Sequence, residues 1–316
     1  MAVYTPITRP ELEDYLRLYP LSPLADFSGI AAGVSNSNFL LQFTDGHKLI
    51  LTLFEDRTPW DDRPYFLALM EHLAALGIGC PRPVRARDGA ALHTIAAHPA
   101  AMVSFLPGAS VLQPNARHTA AMGAQMGRMH RAVVDFPLRR RNSMGPAMWC
   151  DLLAKSDDGT TALADIRHHA AQMLAQWPQN LPQGAIHADL FPDNVFFSDD
   201  HLTGVIDFYF ACHDFFAFDL AIAVNAWCCD ATGAVQPNLA RAMLHGYQAE
   251  RPLTRNEQRA MPLLLQGAAL RFFSSRHYDW LHHPADALLT PKNPKEFQNI
   301  LTFHLENPLL FAEWLL

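Results

Sequence analysis

The chain has 316 residues, half of them apolar and 17% charged, which marks a globular protein with room for one large or two modest domains. Its formal charge is −7, and the one basic run, Arg139, Arg140 and Arg141, reads as a solvated turn after Pro137. Nucleic acid is therefore not an expected partner. No uncharged apolar run reaches membrane-spanning length, so no membrane partner is expected either. Residues 1–16, acidic and broken by prolines, lack the regions of a signal peptide, and a cytoplasmic location is expected.

The amino-terminal third reads as β structure. Residues 38–43 form a strand, Asp45-Gly46 a hairpin turn, and residues 47–54 the returning strand. Ahead of this hairpin, Gly29, Gly33, Ser35, Asn36 and Ser37 lie in a loop joining strand to strand, of the kind that brings N–H groups close to phosphate oxygens. A Walker-type loop would open a helix instead, so the pattern favours the phosphate cover of kinases. Small polar residues also fill ordinary turns.

Residues 61–76 read as a helix, with Phe66, Leu69, Met70, Leu73 and Leu76 at helical spacing and Gly77 as its stop. Glu71 on this helix occupies the place of a glutamate that orients a phosphate-binding lysine, although a surface glutamate gives the same spacing. The lysine itself is missing: the middle of the returning strand holds Thr52. Lys48 shares its face but lies about 13 Å further back at roughly 3.3 Å per residue. Two more strands follow near residues 92–96 and 101–105, ending in Leu106-Pro107-Gly108. That ending reads as a hinge where backbone near Met102, Ser104 and Leu106 would meet adenine, or as a simple hairpin exit. The division expected from it is 1–106 and 107–316.

The chemistry concentrates in two stretches, IHADLFPDNVFF and VIDFYFA, separated by the turn cluster SDDHLTG. They supply a carboxylate at Asp189, an amide five residues later at Asn194, and a second carboxylate at Asp207 on the following strand. That spacing is a phosphoryl-transfer apparatus. Asp189 takes the proton of the attacking hydroxyl, while Asn194 and Asp207 hold Mg²⁺ against the phosphates of ATP. A competing reading places zinc on His187, Asp189 and His213. The five cysteines are odd in number and form no C-x-x-C pair, so free buried thiols are expected. The pairs His168–His169 and His282–His283 read as surface residues.

AMVSFLPG, AMGAQMGRMHRA, IHADLFPDNVFF and GVIDFYFACHDFFAFDLAIA, in that order, resemble the aminoglycoside phosphotransferase and choline kinase superfamily. LILTLFE, RNSMG, LRFFSSRHYDW and LTPKNPKEFQNIL are similar to its homoserine kinase branch. The resemblance implies an α+β fold, two-lobed and protein-kinase-like, with an antiparallel-sheet amino-terminal lobe, a mostly helical second lobe and ATP in the cleft between them. It implies phosphorylation of L-homoserine to O-phospho-L-homoserine on the route to threonine, by a monomer or homodimer. It also implies the catalytic role of Asp189, the metal roles of Asn194 and Asp207, and the phosphate-covering role of residues 29–38.

A zwitterionic acceptor needs a cation for its carboxylate and an anion for its ammonium. Arg271 and Arg276, in an aromatic-rich segment, are candidates for the first, and Asp214 and Asp279 for the second. An ion pair Arg276–Asp279 on one helix face is the competing reading. Other acceptors compete as well. Choline would use an aromatic cage drawn from Tyr209, Trp227, Tyr278 and Trp280, and an aminoglycoside or sugar would use an acidic surface. A nucleotide-binding module without turnover is the reading from a different class.

Overall fold

The structure is a computed structural model that describes residues 5–30, 36–55, 60–157, 159–283 and 291–315. Its contacts divide the chain into two units: Met1–Pro107 with Gly204–Tyr209, and Gly108–Thr203 with Phe210–Leu316. A six-residue segment from deep in the second half of the sequence thus packs with the first unit, which a single cut after Leu106 does not capture.

The first unit contains α1 (Arg9–Leu16), β1 (Leu24–Gly29), β2 (Ser37–Phe43), β3 (Lys48–Leu53), α2 (Arg63–Ala75), β4 (His93–Ile95) and β5 (His98–Ser104). Thr8 and Glu11 close α1 with a capping box, each satisfying a backbone N–H that the first turn leaves unpaired. The strands form one antiparallel sheet in the order β1-β2-β3-β5-β4. Along β2, burial alternates with period two, and Phe39, Leu41 and Phe43 enter the core beside Leu49 and Leu51. Gly46, at φ 86°, makes the β2–β3 turn, where a side chain is disfavoured. The β4–β5 turn runs through Ala96 and Ala97 at φ 50° and 63° without a glycine, which is why composition alone does not mark it. α2 buries Phe66, Leu69, Met70 and Leu73, but Leu76 is its exposed C-cap and not part of the stripe.

The second unit contains α3 (Ala116–Ala132), α4 (Pro146–Lys155), α5 (Thr161–Gln176), β6 (Gln183–Ile186), β7 (Val195–Ser198), β8 (His201–Val205, whose last two residues belong to the first unit), β9 (Cys212–Phe215), α6 (Phe216–Cys228), α7 (Pro237–Glu250), α8 (Arg255–Leu281), α9 (Lys295–Glu306) and α10 (Leu310–Trp314). β6 pairs antiparallel with β9, and β7 with β8. α6 is mostly apolar and buried along nearly its whole length, with its two polar residues, Asp219 and Asn225, buried as well, as befits a central helix. α3 and α7 meet through glycine. A Cβ on Gly123 would stand 2.0 Å from the Met243 carbonyl oxygen, and one on Gly246 2.1 Å from that of Ala120. The basic run is not a purely solvated turn, because the Arg140 carbonyl accepts the His213 N–H at 2.7 Å and Arg141 bridges to β9. All five cysteines are free. Of the histidines read as surface residues, His169 is half-buried against Gln266.

Candidate active site

In the second unit, β6 delivers the chain into a tight loop. Ala188 takes φ 64°, a left-handed conformation costing a non-glycine residue on the order of 1 kcal/mol or more. The next residue is Asp189, and a single 3₁₀ turn, Pro192–Asn194, returns the chain to β7. The Asn194 side-chain amide donates to the Asp189 carbonyl oxygen at 2.8 Å and to Asp189 Oδ2 at 3.2 Å. Its nitrogen is thereby committed to Asp189, which leaves Oδ1 as the atom fitted for a hard cation such as Mg²⁺.

The loop is held from below. Asp219, on α6 and fully buried, accepts the backbone N–H of His187 at 3.0 Å and of Ala188 at 2.8 Å. His130 of α3 donates to Asp219 through Nε2 at 3.1 Å, and its Nδ1 lies 2.8 Å from the Tyr247 hydroxyl. Arg251 in turn donates to that hydroxyl at 3.0 Å and to Glu257 at 2.8 Å. Burial opposes the charge on Asp219, but His130 and the N–H groups outweigh it and hold the carboxyl below its ordinary range. Burial keeps His130 neutral. The tautomer follows from the network: Tyr247 donates to Nδ1 and Nε2–H donates to Asp219.

Burial pushes the Asp189 carboxyl above its ordinary range, against the downward pull of Arg271, His187 and Lys292. Arg271 itself is 3% exposed. Its guanidinium stacks 4.0 Å from the Phe272 ring centre and 5.6 Å from that of Phe210. Its buried Nε has no hydrogen-bond partner, and among the described residues it forms no salt bridge. Arg276, five residues on, is in a different state. It donates to Glu296 at 2.6 Å and lies 4.4 Å from the Phe297 ring centre, so it has an ion pair with α9; Asp279 is exposed. Asp214 accepts from Asn142 at 2.6 Å and from the Phe215 N–H at 2.7 Å, and burial raises its carboxyl. Among the described residues no group of three His, Cys, Asp or Glu side chains is placed to hold a metal, so His187, Asp189 and His213 do not assemble as a zinc centre.

In the first unit, Asp207 takes φ 63° just before the 3₁₀ turn Phe208–Phe210. It is the second non-glycine residue of the two expected catalytic stretches held in a left-handed conformation. Thr52 is 2% exposed and donates to Asn38 Oδ1 at 2.7 Å. Glu71 is bound by Arg85 through both of its carboxylate oxygens and not by a strand residue. Gly29 ends β1 opposite Phe39. Gly33 and Ser35 lie outside the described residues. Asn36 and Ser37 are buried, and both serve Glu55: Ser37 Oγ donates to its carboxylate at 2.6 Å, and Asn36 Oδ1 accepts its N–H at 3.2 Å. On β5, the Met102 carbonyl accepts from Val84 and the Ser104 N–H donates to Arg82. Strand pairing thus uses the backbone groups of Met102 and Ser104, and Leu106 lies past its end.

Asp219, His130 and Asn142 were not singled out as site residues, though all three lie in stretches that carry the resemblance: FAFDLA, MHRA and RNSMG. For Asp219 the available signal was an aspartate inside the mostly apolar stretch of α6, because a buried polar group requires a partner; His130 lies in an amphipathic helix and carries no such signal.

The sequence profile of the phosphotransferase enzyme family matches residues 26–255. A homoserine kinase of Xanthobacter autotrophicus is 51% identical over 309 residues, covering 96% of both chains. A homoserine kinase of a Bradyrhizobium species is 48% identical over 309 residues, covering 96% of this chain and 94% of its own. Among solved structures, the amicoumacin kinase hAmiN, in complex with AMP-PNP, Ca²⁺ and Ami, superposes with a TM-score of 0.72 at 18% identity. That match covers 94% of this chain and 92% of that one, and it shows the shared kinase-like α+β fold. The chain belongs to the phosphotransferase enzyme family, in the homoserine kinase group that it matches over nearly its whole length.

Proposed function

We propose that the chain transfers the γ-phosphoryl group of ATP to the side-chain hydroxyl of L-homoserine, giving O-phospho-L-homoserine and ADP, in the cytoplasm and with Mg²⁺ as the metal. Asp189 accepts the hydroxyl proton as the oxygen bonds to phosphorus and the bond to ADP breaks. Asn194 and Asp207 supply oxygen ligands to the metal, whose contribution is to neutralise charge on the phosphates. Residues 29–38 and the backbone near Leu106 serve the nucleotide. Met102, Ser104, Asn36 and Ser37 serve it indirectly, by fixing neighbouring strands.

The observation that carries the acceptor assignment is Arg271. A buried guanidinium with an unbonded Nε and no salt bridge among the described residues is costly, and an incoming carboxylate relieves that cost. It lies in the electrostatic neighbourhood of Asp189, the group that receives the hydroxyl proton. A zwitterion with a hydroxyl at the end of a short chain meets both. Asp214 is the candidate for the ammonium. Choline, lacking a carboxylate, leaves Arg271 unmatched.

The test is an ADP-release assay with Mg·ATP and a panel of hydroxyl compounds. L-Homoserine is expected to give the highest kcat/KM, with choline and kanamycin near background. A better rate with choline or an aminoglycoside overturns the acceptor assignment.

A further inference from the structure

In a kinase-type lobe a lysine in the middle of β3 carries charge to the phosphates and is held by a glutamate of the helix that follows. Here that position is Thr52, nearly fully buried. Directly across the β2–β3 ladder stands Asn38, whose Oδ1 accepts the Thr52 hydroxyl proton at 2.7 Å. On the other side of Thr52, the Tyr209 hydroxyl lies 3.5 Å from its Oγ1. The Tyr209 ring is set edge-on to Phe54 at 5.2 Å and to Phe66 at 5.8 Å, two of the most buried rings in this unit. Glu71 is occupied by Arg85. Lys48, at the start of β3, lies over Phe105. All of these residues belong to the first unit, and so does Asp207, two residues before Tyr209 in the same turn.

We infer that Asn38, Thr52 and Tyr209 form an uncharged strut in place of the lysine–glutamate ion pair, and that Tyr209 is a positioning residue that sets Asp207 for the metal. The inference rests on the phosphotransferase reading above. Asp207 is in a left-handed conformation that its neighbours must enforce. Phe208, buried at 1%, and Tyr209, clamped between two rings and Thr52, are the neighbours that do so. With no strand cation at Thr52, neutralisation of the phosphates falls more heavily on the metal, and placement of Asp207 becomes correspondingly more important.

The experiment is a Mg²⁺ titration of turnover at saturating ATP and acceptor, on the full chain, with melting temperature measured alongside. Tyr209→Phe and Thr52→Val are expected to raise the Mg²⁺ concentration for half-maximal rate by about 10- to 100-fold, as loss of an outer-shell partner typically does. The double variant is expected to be little worse than either single, because the two act as one unit. Thr52→Ser, which keeps the hydroxyl, should restore most of the loss. A destabilised fold alone would lower melting temperature without moving the Mg²⁺ curve.

Thr52→Lys is the sharpest arm. It restores the usual kinase residue, yet it buries an ammonium whose natural partner, Glu71, is taken. Its kcat/KM for ATP is expected to fall at least about tenfold. A wild-type Mg²⁺ curve for Tyr209→Phe, or a Thr52→Lys enzyme as active as wild type, overturns the strut. If the wild type prefers a hydroxyl compound other than homoserine, the titration is run with that acceptor, and the strut is judged independently of the acceptor assignment. A wild type that transfers phosphate to no acceptor overturns both.

Discussion

The carboxylate of Asp219 accepts the N–H of Ala188 at 2.8 Å, although 31 residues separate them. Ala188 is the residue at φ 64° immediately before Asp189. The contact therefore couples the central helix of the second unit to the backbone that carries Asp189, the proposed base. A second bond from the His187 N–H makes the clamp two-pronged, and His130 fixes the orientation of the carboxylate from behind.

Removing the clamp should cost both stability and rate. Asp219→Ala leaves two backbone N–H groups and the His130 Nε2–H unmatched in a dry environment. The loss should be roughly 3–5 kcal/mol, within the range for breaking a buried charged network. Asp219→Asn keeps one acceptor oxygen and should unfold less readily than the alanine variant, while still losing kcat because one prong of the clamp on His187 and Ala188 is lost. Chemical denaturation and steady-state kinetics on the two variants check this. Equal stability of Asp219→Ala and wild type would show that the clamp is dispensable.

Asp189→Asn separates chemistry from folding. The variant keeps the shape and removes the proton acceptor, so kcat should fall by roughly 10²–10⁴, the usual contribution of a general base, while ATP binding persists. Stability should move the other way. The folded carboxyl titrates above its ordinary value, so its protonated form favours the fold. That favourable contribution is present at low pH and is lost as pH rises through the folded pKa. At neutral pH, then, Asp189→Asn should melt no lower than wild type, and the difference should shrink as pH falls. A variant that loses both activity and several degrees of melting temperature at pH 7 would point to a structural role.

The same shift sets the acid limb of the pH–rate profile. The base must be ionised to act, and burial raises its pKa, so kcat/KM should begin to fall at a higher pH than an ordinary aspartate near 3.8 would give. Arg271, His187 and Lys292 pull in the opposite direction. Lys292→Ala should therefore move the acid limb upward. Profiles of wild type and Lys292→Ala, measured across the acid range, decide it.

The parts legible in the sequence were those encoded by local pattern. The β2–β3 hairpin follows from alternation plus Asp-Gly, and α2 from its apolar spacing. Asp189, Asn194 and Asp207 stand out because their residue types and spacing are those the proposed phosphoryl transfer calls for. What sequence did not convey was partner choice over long separations. Glu71 pairs with Arg85, Arg276 with Glu296 and Asp214 with Asn142, and no periodicity predicts which donor finds which carboxylate. The Gly204–Tyr209 segment was missed for a related reason. Its membership in the first unit depends on tertiary packing of Gly204 against Gly79 and Leu106, not on any boundary signal.

The metal reading has its own check. Asp207→Ala should abolish turnover, since no other described carboxylate takes its place in that turn, and the wild type should require Mg²⁺ or Mn²⁺. A zinc-selective chelator should leave the rate unchanged. Loss of activity with the chelator, restored by zinc alone, would revive a zinc-dependent reaction.

Arg271 and Arg276 lie five residues apart on α8, both nearly buried and both stacked on aromatic rings, yet they should respond differently to mutation. Arg276 already has Glu296, and Arg271 makes no salt bridge among the described residues. If Arg271 binds the acceptor carboxylate, Arg271→Ala should raise KM for homoserine by one to three orders of magnitude, at roughly 1.4 kcal/mol per tenfold, with KM for ATP little changed. Arg271→Lys should recover only part of this, because an ammonium lacks the planar fork that grips both carboxylate oxygens. Arg276→Ala should instead lower melting temperature, through loss of its packing on Phe297 and of the bond to α9, and should affect KM much less. Discrimination gives the final check. Wild type should prefer homoserine over an analogue with its carboxylate replaced by an amide, and Arg271→Ala should lose most of that preference. A preference that survives Arg271→Ala but vanishes in Arg276→Ala would move the carboxylate site one and a half turns along the helix and leave Arg271 without a role.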